Sequence, residues 1–297
     1  MDVYKLRPED AGSRRIERED FEAQTLRDKP WYQKNGQGED VQYAVCPACD
    51  NPIQIIGLYR LLERIHQPFG RHTGAAIRGL AELDPEERDN CPYFKPRPRE
   101  KRARRKGLNP VSRKILGTLI EQFDRVVYLL RKQTGINFSQ KLLRKMLETY
   151  RAERGYLYTG ATLLNIPWVF AYMSDSQPIV GQYLRKDADA DLMRAIRDMV
   201  PGVHISDGGQ IGRKTKNFLS LAVCFIHHRE SKDREDGRLV ESMKMVVSMD
   251  ADHWVHQKVI PFDHQEFQRL THIPDEKARR QMDLVEMAKE VLGDLLL

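Results

Sequence analysis

The sequence predicts an α+β chain made of a small N-terminal module, a helical hairpin and a C-terminal antiparallel sheet with flanking helices. Three observations predict it. Cysteines are grouped early, as Cys46-Pro-Ala-Cys49 followed by Cys91. From 111 to 150, apolar residues recur every three or four positions, which is the period of one helix face. Beyond residue 200, short runs rich in Val, Ile, Phe and Met alternate with charged and glycine-containing stretches, the pattern of strands and turns. The parts divide the chain at 1–94, 95–110, 111–154 and 155–297.

Residues 1–40 are charged and carry little apolar periodicity. A short helix is expected over 17–27, anchored by Ile16, Phe21 and Leu26, with Trp31 and Tyr32 tucked against the cysteine-bearing module. Residues 35–38 read as a turn. A strand over 41–45 leads into the cysteine turn. The stretch from Ile53 to Ile65 starts extended and becomes helical by residue 58, running on to His66. Residues 75–83 have helical spacing, and Asp84-Pro85 opens a capped turn before Cys91.

The hairpin is predicted as one helix over 111–132 and a second starting at Ser139, a good N-cap. The second helix shows Lys141, Arg144, Lys145, Arg151 and Arg154 on its outer face. Residues 162–172 are apolar enough to be buried, with Pro167 bending them. A helix is expected over 188–199. There, Asp187, Asp189 and Asp191 suit a helix start; a calcium loop would need a glycine and a distal glutamate that are missing. Strands are expected over 203–206, 218–226 and 242–249, with an edge strand over 258–262. Cys224 is expected in the core, Gly208 to Lys214 as a mobile loop, and 275–296 as an amphipathic helix.

The cysteines carry the clearest chemistry. A Cys-Pro-x-Cys turn holds two sulfurs close together, and a tetrahedral zinc site needs two further ligands. Cys91 and His72 are the candidates, the latter flanked by Gly70 and Gly74 in a loop. The turn resembles zinc knuckles, so the expected site is Cys46, Cys49, His72 and Cys91 around zinc, with a structural role. His66 competes for the nitrogen position. Free buried thiols and a redox dithiol are the alternatives. So small a module is expected to depend on its metal for folding.

Composition narrows the class further. The 297 residues are 40% apolar and 31% charged, ample for a packed core. There is no apolar run of bilayer length and no apolar core at the start, so a cytoplasmic protein is expected.

The formal net charge of +6 is concentrated in one place. Lys95, Arg97, Arg99, Lys101, Arg102, Arg104, Arg105 and Lys106 face one carboxylate, Glu100, within twelve residues, and outweigh the charge of the whole chain. Such a run is the footprint of a polyanion binder, DNA or RNA, against the alternatives of a solvated linker or an acidic membrane surface.

Late histidines raise a second class. His253, His256 and Asp252 would serve a metal-dependent nuclease, yet no nucleophile elbow, phosphate loop or dinucleotide fingerprint accompanies them. The expectation is therefore a non-catalytic recognition or scaffolding subunit of a bacterial nucleoprotein system. The nuclease and a module for an acidic protein partner are the competing classes.

Overall fold

The computed structural model describes residues 1–61, 67–233 and 238–297. The chain forms two compact units. The first comprises Met1–Pro98 with Thr162–Leu164 and Glu230–Val240; the second comprises Arg99–Ala161, Asn165–Arg229 and Glu241–Leu297. The α+β expectation holds: helices and antiparallel sheets occupy separate stretches of the chain.

The first unit is built on a four-stranded sheet in the order Tyr32–Lys34, Asp40–Val45, Pro52–Ile56, Phe69–His72. The turn expected over 35–38 joins the first two strands. The register pairs Val45 with Pro52 and Ile53 with His72. Three chain segments therefore end on the same side of the sheet. Beneath it lies a core of Tyr4, Ile16, Phe21, Ala44, Ile53, Ile55 and Leu58, which includes the three cysteines. This core is larger than the sequence promised. Gly70 fits it closely, since a Cβ there would stand 2.8 Å from Ile53 and 2.9 Å from Met1.

Several elements of this unit differ from expectation. The first helix is Arg18–Thr25, and Leu26 terminates it in the left-handed region with its side chain 76% exposed rather than anchored. Residues 58–60 form bends, while 62–66, with the rest of the expected helix and His66, lie outside the described residues. Residues 75–83 form a turn closed by a bridge between Ile77 and Ala81 instead of a helix.

The second unit is a helical core beside a second sheet. Asn109 caps the helix Pro110–Glu121 by accepting from the Ser112 amide at 2.8 Å. The expected single helix over 111–132 is broken at Gln122, and a new helix runs Phe123–Thr134. The cause is tertiary: Arg280 donates to the Glu121 carbonyl at 2.6 Å, and the Arg125 amide bonds Gln122 at 3.0 Å. Ser139 caps Gln140–Ala152 as expected.

Residues 162–172 are buried as expected, but Pro167 starts the helix Ile166–Met173 rather than bending it, because proline lacks only a donor that the first turn does not use. The terminal helix is shorter than expected, Met282–Leu292 followed by a short 3-10 turn, and it packs against the three earlier long helices.

The second sheet orders Trp254–Pro261, Leu239–Ser248, Ala222–Lys232 and Gln177–Pro178. The third of these starts later than expected, leaving Phe218 84% exposed. Alternation then leaves Cys224 half-buried, on the opposite face from Val223 and Phe225. The glycine-rich segment is the turn of a hairpin, Val203–Ile205 with Ile211–Arg213. Among the described residues, no helix is long and apolar enough to cross a membrane.

Candidate metal centre

The four residues expected as ligands converge. Cys46 follows the strand Asp40–Val45, and its amide and carbonyl bond Asn51 and Asp50 at 2.8 and 3.0 Å, closing the turn that carries Cys49. Asp50 completes that turn at φ +60. His72 is not offered by a flexible loop; it is the last residue of its strand, beside Ile53. Asp84 caps the short helix Pro85–Asn90 by accepting from Glu87 at 3.0 Å, and the helix delivers Cys91 at its end.

Cys46 Sγ lies 3.7 Å from Cys91 Sγ, and Cys49 Sγ lies 3.4 Å from His72 Nε2. All four ligand atoms fall within 4.8 Å of one another, and all four residues are buried. The group can hold a metal ion.

Its electrostatics fit that role. For Cys46, burial opposes ionisation, but the hydrogen bonds of Cys49, Cys91 and His72 outweigh it and hold the thiol well below its ordinary value. Burial, and then the neighbouring Cys46, push Cys49 and Cys91 well above theirs. A bound cation lets all three thiols ionise.

Asn51 supports the site in a way that the sequence did not reveal. Its amide donates to the Cys49 carbonyl at 3.2 Å and approaches Cys49 Sγ at 3.5 Å, while its carbonyl oxygen accepts from Asp84 at 2.8 Å. It joins the knuckle to the helix that bears Cys91. The sole signal was its place next to Asp50, after the second cysteine. Phe94 covers His72 edge-on at 5.5 Å, and the Arg88 guanidinium lies over Phe94 at 5.0 Å.

The eight cations of the basic run have different surroundings. Lys95, Arg97, Arg102 and Lys106 are exposed, and Arg99, Lys101 and Arg104 are half-buried. Arg97 donates to Asn90 at 3.3 Å, and Lys101 sits over the Tyr172 ring at 5.2 Å. Arg104 donates to the Glu153 carbonyl at 2.8 Å. Arg105 is 3% exposed and donates to the Tyr158 and Ala161 carbonyls, so its charge serves the fold. On the outer face of the second hairpin helix, Arg144 pairs with Glu290 and Arg151 with Asp294, each at 2.6 Å.

The late histidines do not assemble as the nuclease reading needs. His253 is exposed and bonds Asp250 at 2.8 Å. Among the described residues, no potential metal-binding group contains His253, His256 or Asp252. Asp189 caps its helix by accepting from Asp191 at 2.9 Å, and Asp187 pairs with Arg185.

A different histidine, His228, is the buried one. His227 adopts φ +56, which breaks strand alternation and turns His228 inward. His228 Nε2 meets Glu241 Oε1 at 3.1 Å, and His264 Nε2 lies 2.7 Å from Oε2, off the hydrogen-bond axis. Asn165 donates to Glu241 at 2.9 Å, and the Tyr158 hydroxyl is 3.2 Å from His228 Nδ1. Burial opposes the charge on Glu241, yet His228 and His264 hold its carboxyl far below the usual range. No sequence signal marks this cluster, because its phase depends on His227.

The chain matches no protein-family model, no curated protein and no solved structure. The site is therefore read from its own chemistry.

Proposed function

We propose that the chain is a zinc-stabilised nucleic-acid-binding protein, a non-catalytic recognition or scaffolding subunit of a bacterial nucleoprotein system working in the cytoplasm. Zinc is favoured by the donor set and its spacing. Sulfurs at ~2.3 Å from a tetrahedral ion stand about 3.8 Å apart, and a sulfur and an imidazole nitrogen about 3.5 Å apart; the observed separations are 3.7 and 3.4 Å. Four protein ligands fill a tetrahedron and leave no position for substrate, so the ion's role is structural.

The observation that carries the binding half is the run of cations from 95 to 106, which begins four residues after the last ligand and exceeds the charge of the whole chain. Arg105 is withdrawn into the fold and Arg104 is bonded to a carbonyl. The remaining six cations suit contact with phosphates, which supply sequence-independent affinity.

The test is titration of the full-length zinc-loaded protein with labelled duplex DNA, single-stranded DNA and RNA. The reading expects binding that weakens with salt and is lost when Lys95, Arg102 and Lys106 are changed together to glutamate. Competition by heparin without competition by DNA or RNA would overturn it in favour of an acidic protein partner.

A further inference from the structure

Two short strand pairs of the second unit, Ile136–Asn137 with Tyr183–Leu184 and Ile211–Arg213 with Val203–Ile205, join side by side in that order. The joint is a bridge between Tyr183 and Gln210. The Leu184 amide donates to the Gly209 carbonyl at 2.8 Å, and the Ile211 amide donates to the Gln182 carbonyl at 2.9 Å. Gly209 permits this approach, since it sits at φ +85 and a Cβ there would stand 2.6 Å from the Leu184 carbonyl oxygen.

Residues directly opposite in antiparallel strands share a face, and successive residues alternate between faces. Tyr183 stands between Asn137 and Gln210 in one row; Gly212 lies two residues on from Gln210, with His204 opposite it. The other face carries Ile136, Leu184, Ile211 and Val203, all buried. The first face is open. Tyr183 is 46% exposed, His204 and Gln210 are exposed, and Asn137 is half-buried. Lys214, two residues beyond Gly212, continues this face, and its amide is bonded to the Gly202 carbonyl at 2.8 Å.

The charge here is positive. Residues 201–218 hold Arg213, Lys214 and Lys216, all exposed, against one carboxylate, Asp207. We propose that this open face binds single-stranded RNA, with Tyr183 and His204 each under a base and Lys214 on a phosphate. Aromatic rings on an open sheet stack unpaired bases, and cations beside them hold the backbone. The two rings lie two strands apart, roughly 10 Å, so each takes its own base. The Asn137 and Gln210 amides flank the Tyr183 ring, where they can reach base edges and a 2′-hydroxyl, which favours RNA over DNA. Bases in a duplex are already stacked and cannot use the rings. The proposal rests on the nucleic-acid reading above and adds a second contact surface, separate in sequence from the basic run.

The test measures binding of labelled oligouridine, oligodeoxyuridine and an RNA duplex to the zinc-loaded full chain. Oligouridine is expected to bind tightest. Tyr183→Leu is expected to weaken it about tenfold, and Lys214→Gln to make its log–log salt slope shallower by about 0.7. Unchanged zinc content and circular dichroism establish that these exposed-site variants fold.

If both variants bind like wild type while glutamates at Arg102 and Lys106 abolish binding, the sheet face is overturned and the basic run stands. If wild type binds no polynucleotide, both readings fall. Equal losses for duplex and single strands overturn the single-strand assignment, and equal affinity for the deoxy oligomer overturns the choice of RNA. A chain that binds no RNA but self-associates, with Tyr183→Glu restoring the monomer, overturns the proposal in favour of a second copy on this face. Photo-crosslinking of wild type to an iodouridine oligomer gives an independent readout: adducts at Tyr183 or His204 are expected, and adducts confined to 95–106 contradict the proposal.

Discussion

Cys49 Sγ and His72 Nε2 lie 3.4 Å apart, buried, across 23 residues of sequence. The knuckle turn and the strand Phe69–His72 bring them together because Val45 pairs with Pro52 and Ile53 with His72. A sheet register, rather than a local spacing rule, thus completes the metal group. Sheet and metal are expected to stabilise each other.

Removing the metal should therefore loosen the whole first unit. Chelation of the zinc-loaded protein, or Cys49→Ser, is expected to lower the thermal midpoint by about 10 °C or more. Hydrogen exchange should locate the loss in the strands Asp40–Val45, Pro52–Ile56 and Phe69–His72. A midpoint unmoved by chelation would show that the core of Tyr4, Phe21 and Ile53 suffices alone.

The basic run separates into folding and binding residues. Arg105→Ala strips the guanidinium from the Ala161 and Tyr158 carbonyls, the second of which keeps the Ala161 amide, and is expected to destabilise the second unit by about 2 kcal/mol. Arg102→Ala, at an exposed position, is expected to change stability by less than about 0.5 kcal/mol while weakening polyanion binding. Chemical denaturation of both variants checks the first contrast, and a binding titration checks the second.

Salt dependence counts the phosphates. With six cations in contact with duplex DNA, log affinity against log salt should fall with a slope of roughly −5. A slope near zero would remove the run from the interface.

Acid should act through Glu241. Its carboxyl is held far below the ordinary value of 4.5, so the unfolded chain takes up the proton first as pH falls. The stabilisation is complete above that value and is lost progressively below it. Glu241→Gln, which removes the buried carboxylate bonded by His228 and Asn165, is expected to cost about 1 to 3 kcal/mol near neutral pH. It should also flatten the acid limb of the stability profile. An unchanged acid limb would mean that Glu241 does not govern it.

The legible parts of this molecule are those whose cause is local. The Cys-Pro-x-Cys turn, the Ser139 and Asp84 caps and the apolar face of Gln140–Ala152 follow from neighbours in sequence, and the structure contains them. The parts that were hidden depend on distant partners. Arg280 takes the Glu121 carbonyl from 159 residues away, where the helix breaks, and the left-handed His227 moves His228 into the core. Asn51 gains its role by meeting Asp84, 33 residues on. No periodicity encodes such meetings, because they arise only once the units have packed.

The central claim is a structural zinc ion held by Cys46, Cys49, His72 and Cys91. It is tested most directly by elemental mass spectrometry of the purified full chain and of its Cys46→Ala variant. The account predicts one zinc per chain in wild type and none in the variant. A folded wild-type protein without metal, or a variant that retains its zinc, would contradict it.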